Sequence, residues 1–213
     1  PNENEQKRIH TLAHKLTEKV KIAAKEKGLD VKVRIEGSVA KNTWLKDCPE
    51  IDVFIQVSTN VPKEEFGTVI QVAKKATSGY KQIERFAEHP YLEAIVDEVY
   101  VNIVPCYKVE QGKWISATDR TPFHTDYVKQ HLNEKMVDEV RLLKRFMKGV
   151  DVYGAEIKVG GFSGYLCELL VLNYGSFTEV LQTAGNWKDT IFIAYEGHYE
   201  KKAEKKFEEP LVV

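Results

Sequence analysis

The sequence predicts an α+β fold, a mixed sheet with helices on one face, followed by a mainly helical second domain. Two observations predict it. Runs of period-two alternation fill much of the first hundred residues between two amphipathic stripes, and from about residue 133 the pattern changes to helical spacing. The expected domains are residues 1–132 and 133–213.

From Asn4 to Lys27 a helix is predicted, with Ile9, Leu12, Ala13, Leu16, Val20 and Ala23 on one stripe and Gly28 as its stop. Val31, Val33 and Ile35 alternate with Lys32, Arg34 and Glu36, a half-buried strand leading into Gly37 and Ser38. Ile51, Val53, Ile55 and Val57 form the apolar side of the next strand. Pro62 opens a second helix with Phe66, Val69, Ile70 and Ala73 inward. Tyr80–Phe86, Leu92–Val96 and Val99–Val104 read as strands, the last two joined by an Asp97-Glu98 turn. In the second domain Met136, Val140, Leu143 and Met147 make a helical stripe, and Tyr165–Leu172 is apolar almost all round, a buried helix. Ser176 with Glu179 reads as a capping box, and Lys201–Lys206 as a solvated charge run.

The chemistry concentrates between Gly37 and Asp52. Glycine admits close backbone approach, and the amides of a Gly-Ser turn with the Ser38 hydroxyl can donate to phosphate oxygens. Separated from that turn by eleven residues, Glu50 and Asp52 share one face of a strand, roughly 6.6 Å apart at the backbone, so that their oxygens can converge on a cation. Two anions at that separation repel by roughly 2–3 kcal/mol at an effective dielectric near 20, and a divalent cation reverses the sign. A lone pair of this kind most often solvates the outside of a strand. The turn ahead of it and the apolar strands around it point instead to a metal-dependent nucleotidyl-transfer site. His10 and His14 lie one helical turn apart but lack the glutamate of an H-E-x-x-H frame, and read as a helix surface.

Composition sets bounds. The 213 residues are 43% hydrophobic and 30% charged, ordinary globular material, and the net charge of −1 offers no global attraction to nucleic acid, so an RNA contact needs a local basic face. Cys48, Cys106 and Cys167 are odd in number and far apart, which fits buried thiols better than a disulfide framework. With no apolar run of bilayer length and no charged-then-apolar leader, a cytoplasmic location and no membrane partner are expected. The opening on Pro1 and the apolar ending Leu211-Val212-Val213 read as the cut ends of a fragment.

Gly37-Ser38 with Glu50-Ile51-Asp52 resembles the DNA polymerase β-like nucleotidyltransferase superfamily. Further runs narrow the resemblance: Gly37–Trp44, Glu88-His89-Pro90-Tyr91, Val104–Tyr107, Asp119–His124, Tyr153–Glu156 and Gly161–Glu168 occur in this order in archaeal, class I CCA-adding enzymes. The resemblance covers nearly the whole chain. It implies a catalytic head and a helical neck, and an activity that adds CMP, CMP and AMP from CTP and ATP to the tRNA 3′ end, with Mg2+ and no nucleic-acid template. It implies Glu50, Asp52 and Asn102 at the catalytic positions and Glu50 and Asp52 as metal ligands. Ser38, Lys41, Thr121, His124, Lys144 and Tyr153 fall at nucleotide-binding positions, with Lys41 in place of a more familiar arginine. Most tRNA contacts and the choice between CTP and ATP are expected to involve residues beyond Val213, and the full-length protein could form a homodimer. Each site residue also has a bland reading. Lys144 shares a helical face with Arg141 and Lys148, as solvated lysines do; Tyr153 could serve packing, and His124 could be a loop histidine.

One position departs from the family. Where it carries a third carboxylate, this chain has Asn102, on the same strand face as Tyr100 and Val104. An amide ligates a hard cation weakly and cannot accept a proton as a carboxylate does. Two rival functions stay open: a poly(A) polymerase or oligoadenylate synthetase-like enzyme, and a nucleotide-binding fragment that is inactive because of Asn102. The Asp119–His124 and Gly161–Glu168 runs favour the CCA reading over the first rival.

Overall fold

The computed structural model describes residues 1–155, 158–188, 191–193 and 211–212. Glu156, Val213 and the Lys201–Lys206 charge run lie outside the described residues. Contacts divide the chain into two compact units, Pro1–Tyr127 and Val128–Val213.

Five strands form the first unit's sheet: β1 (Lys32–Glu36), β2 (Glu50–Val57), β3 (Lys81–Phe86), β4 (Pro90–Val96) and β5 (Val99–Tyr107), in the order β1-β2-β5-β4-β3. β2 and β5 run parallel and the other pairs antiparallel, so the sheet is mixed. Helix α1 (Glu3–Glu26) starts at a capping box, in which Glu5 N–H donates to Asn2 Oδ1 and Asn2 N–H to Glu5 Oε2. Its buried stripe is the expected one, extended by Thr17 and Ala24. After a 3₁₀ turn at Lys63–Glu65, α3 (Phe66–Ala76) buries Phe66, Val69, Ile70 and Ala73 as its spacing requires. Between them the one-turn helix α2 (Gly37–Ala40) follows β1 directly.

Register explains why one sheet face is dry. Ile51 pairs with Val101 and Val53 with Ile103, and Ala94 and Leu92 continue the same rows on β4. These residues join the stripes of α1 and α3 in one core. Each fully buried aliphatic side chain contributes about 1.5–3 kcal/mol. The opposite face carries the row Glu36, Asp52, Asn102, Glu93 across β1, β2, β5 and β4.

Helix α4 (Thr121–His131) is a feature the sequence pattern did not reveal, and it corrects the loop reading of His124. In the second unit α5 (Glu134–Gly149), α6 (Gly164–Tyr174) and α7 (Phe177–Ala184) are capped by Asn133, Ser163 and Ser176, each accepting from the amide three residues on. Val140, Leu143, Met147, Cys167, Leu170, Val171 and Val180 form their shared core. β6 (Phe192–Ile193) runs parallel to β7 (Leu211–Val212). Of the three cysteines Cys106 and Cys167 are buried, whereas Cys48 is exposed, which corrects the expectation of three buried thiols.

The β4–β5 hairpin turns on Asp97 (φ 49) and Glu98 (φ 67), both left-handed, as a two-residue hairpin of matching twist demands. Glutamate is costly in that region. Replacing Glu98 with glycine should raise the unfolding free energy in urea by about 0.5–1 kcal/mol, after the entropy glycine adds to the unfolded chain.

Candidate active site

Parallel pairing of β2 with β5 sets Asp52 opposite Asn102 and Glu50 opposite Tyr100. The two acids point to the polar face of the sheet and meet a single amide: Asn102 Nδ2 donates to Glu50 Oε1 at 2.7 Å and to Asp52 Oδ1 at 3.1 Å. Burial, then the neighbouring Glu50, push the Asp52 carboxyl up to about 7, while the Asn102 hydrogen bond and Lys41 pull the other way. The ends of the row are answered differently. Arg34 pairs with fully buried Glu36 at 2.5 Å and forks onto Asp126 at 2.6 and 3.0 Å. Arg85 reaches Glu93 at 3.2 Å.

Gly37 closes the site from the other side. Its φ of +67 turns the chain out of β1, and a Cβ built there would lie 2.0 Å from Asp52 Oδ2. Only glycine therefore lets the Gly37-Ser38 backbone rest on that carboxylate. Buried Val39 and Trp44 anchor the segment behind, and Thr43 N–H returns to the Ser38 carbonyl at 2.9 Å. Ser38 and Lys41 remain half-buried beside the acids' end of β2.

Thr121 and His124 sit on the first turn of α4, three residues apart and both half-buried. The turn before them is fixed by residues the sequence reading did not single out individually. Asp119, fully buried, accepts from Tyr107 N–H (2.7 Å), Ile115 N–H (2.9 Å), Ser116 N–H (2.7 Å) and Ser116 Oγ (2.9 Å). His89 Nε2 bonds Thr118 Oγ1 at 2.9 Å, and Glu88 Oε2 accepts from Ala117 N–H at 2.7 Å. The Glu88–Tyr91 run and the turn that leads into the Asp119–His124 run are thus two halves of one support.

In the second unit Lys144 is 2% exposed and donates from Nζ to Glu168 Oε1 at 3.1 Å, which overturns its reading as one of a solvated row. Tyr153 is held by a bridge to Phe162, with Gly154 N–H donating to Phe162 O (2.9 Å) and Phe162 N–H to Val152 O (2.7 Å). The Lys148 ammonium lies 6.0 Å from the Tyr153 ring centre.

The residues of the β2 pair suit a hard cation: two carboxylates, one desolvated and raised by the other, facing an amide whose half-turn would present its oxygen instead. Among the described residues no three His, Cys, Asp or Glu side chains gather as a metal cluster, and His10 and His14 are exposed on α1. No helix among the described residues is long and apolar enough to cross a membrane. A cavity of about 340 Å³ lined by Lys32, Gln56, Ser58 and Lys108 lies at the other ends of β1, β2 and β5, away from the acids.

This arrangement is that of a nucleotidyltransferase. Residues 17–124 match the nucleotidyltransferase domain family, to which the chain belongs, and residues 138–213 match the second domain of tRNA nucleotidyltransferases. The chain is 41% identical to the CCA-adding enzyme of Methanothermobacter thermautotrophicus and 42% to that of Pyrobaculum aerophilum, in each case over 100% of its own length and over 47% and 50% of theirs. It is 46% identical to the CCA-adding enzyme of Sulfurisphaera tokodaii over 84% of the chain and 43% of that protein. The chain therefore spans about half the length of these curated relatives, their N-terminal part. Among solved structures, that of E. coli MS115-1 CdnC with ATP matches 94% of this chain and 72% of its own (TM-score 0.65, 19% identity). The Cid1 terminal uridylyl transferase matches 81% and 50% (TM-score 0.59, 18% identity). Both share the fold.

Two outcomes follow for the protein free of divalent cations. Gly37→Ala forces a Cβ into the Asp52 carboxylate at positive φ and should cost about 2–4 kcal/mol in urea unfolding. Because the folded state raises the Asp52 carboxyl from 3.8 to about 7, its contribution to stability is fully present below about pH 4 and lost as pH rises through 7. Urea midpoints at pH 5 and pH 8 should differ less in Asp52→Asn than in the parent; an equal difference would show that Asp52 is not the group responsible.

Proposed function

We propose that this chain is the catalytic head and neck of a CCA-adding tRNA nucleotidyltransferase, which adds CMP, CMP and AMP from CTP and ATP to the tRNA 3′ end without a nucleic-acid template. The observation that carries the proposal is the convergence of Glu50 and Asp52 beside the Gly37-Ser38 turn, in a chain similar over its whole length to archaeal CCA-adding enzymes. Glu50 and Asp52 hold Mg2+, with Asn102 as the third, neutral donor. A bound divalent cation would supply positive charge to offset that of the triphosphate. The Ser38 hydroxyl and neighbouring amides donate to phosphate oxygens, and Lys41 supplies positive charge without an arginine's fork. By resemblance to the family, Thr121, His124, Lys144 and Tyr153 are further nucleotide contacts. The tRNA hydroxyl attacks the α-phosphorus, the new P–O bond forms as the bond to pyrophosphate breaks, and the hydroxyl proton must leave. The full-length protein works in the cytoplasm and draws most of its tRNA affinity from phosphate contacts outside this chain.

A second reading is favoured by one specific contact. Asn102 presents N–H groups to both acids, and its amide cannot take up the hydroxyl proton. Nucleotide binding then persists while transfer is slow. In the full-length protein, Asn102→Asp should raise incorporation of labelled CMP into tRNA lacking its CCA end by roughly 10²- to 10⁴-fold, with little change in CTP affinity. No gain would remove the catalytic reading of position 102, and continued addition beyond three nucleotides would favour a poly(A) polymerase.

A further inference from the structure

Within the second unit, one feature is poorly explained by folding alone. Glu168 is the one charged residue of the mostly apolar helix α6, and it is fully buried. Its partner Lys144 is equally enclosed, with side-chain exposures of 2% and 1% and a separation of 3.1 Å. Burying both ions sacrifices their hydration, and well-packed apolar residues of similar volume generally stabilise a core as well or better. The pair also sits beside a third polar group. A Cβ on Gly164, at the start of α6, would lie 2.9 Å from the Tyr153 hydroxyl and 3.5 Å from both Cε and Nζ of Lys144. The absence of a side chain at Gly164 therefore leaves the Tyr153 hydroxyl its place against the start of α6, with the Lys144 ammonium on the same glycine.

We propose that Glu168 is a positioning residue for nucleotide binding: through their buried ion pair it fixes where the Lys144 side chain ends, close to Gly164, against which the Tyr153 hydroxyl also packs. This rests on the reading of Lys144 as a nucleotide contact. Glu168 acts through Lys144 and does not touch the nucleotide. The bridge to Phe162 holds the Tyr153 backbone from one side, while Ser163, capping α6 through Leu166 N–H at 3.0 Å, fixes the helix start from the other. Tyr165, on the same helix, has its phenol pushed up to about 12 by burial and then by Glu168, so it stays neutral beside the pair.

A double-mutant cycle in the full-length protein tests this, with CTP and Mg2+ as the probe and urea midpoints as the control for folding. Glu168→Gln should weaken CTP binding roughly ten- to a hundredfold, the scale of a lost charge-assisted hydrogen bond. In a Lys144→Met background the same change should produce no further loss, because the two residues act as one unit. Gly164→Ala, which keeps both charges, should weaken CTP binding in the same direction and serves where the glutamine variant folds poorly. Unchanged CTP binding in Glu168→Gln, or an added loss in the Lys144→Met background, overturns the positioning role. If Lys144→Met alone binds CTP as the parent does, the nucleotide-contact reading of Lys144 fails first, and the two failures are told apart.

Discussion

The contact between the Gly37 backbone and the Asp52 carboxylate constrains everything around the acidic pair. A carboxylate pressed against main chain loses water on that side, and its neighbour Glu50 adds like charge, so the ionised form is expensive unless a donor or cation compensates. Parallel pairing of β2 with β5 supplies the donor, because the register places Asn102 beside Asp52 and within reach of Glu50. The turn, the strand and the crossover are thus three parts of one electrostatic problem. None could shift by a residue without turning the acids onto the apolar face.

A second layer of fixed polar groups supports the start of α4. Asp119 takes four donors at once, and the His89 ring, wedged edge-on against Phe66 with centres 5.1 Å apart, carries Thr118. A fully satisfied buried network of this sort specifies one backbone course more strictly than apolar packing does. It sets where Thr121 and His124 begin their helix. That explains why residues with no direct chemistry, Glu88, His89 and Asp119, stand in the runs that resemble the CCA-adding family.

Much of the sheet was legible because its strands alternate cleanly, and Asp97-Glu98 marked its turn by position alone. The acidic pair was legible for the same reason: Ile51, Val53 and Ile55 fix which way Glu50 and Asp52 must point. Helix α4 was not, since its buried side is Pro122, Thr125 and Val128, and a stripe of proline and threonine carries little hydrophobic signal. Lys144 misled for a different reason. Its spacing from Arg141 and Lys148 describes a charged face, but the decisive partner, Glu168, lies 24 residues away, and no periodicity reports such a pair. The glutamate inside an otherwise apolar helix was the available signal. A lone charge in a segment read as buried all round demands a partner, and the nearest helix with a matching cation was α5.

The row across the sheet gives Asn102 a physical context of its own. Glu36 and Glu93 at its ends are each answered by an arginine, Arg34 and Arg85, within their own strands' neighbourhood. Asp52 has no such arginine; Lys41 moderates its field, and the amide of Asn102 provides the hydrogen bond. A carboxylate at position 102 would place four acids in succession on adjacent strands about 4.8 Å apart, with the middle two lacking guanidinium partners. That arrangement depends on a cation to be comfortable. With asparagine one amide donates to both Glu50 and Asp52, so a smaller share of the repulsion along the row is left for a cation to offset.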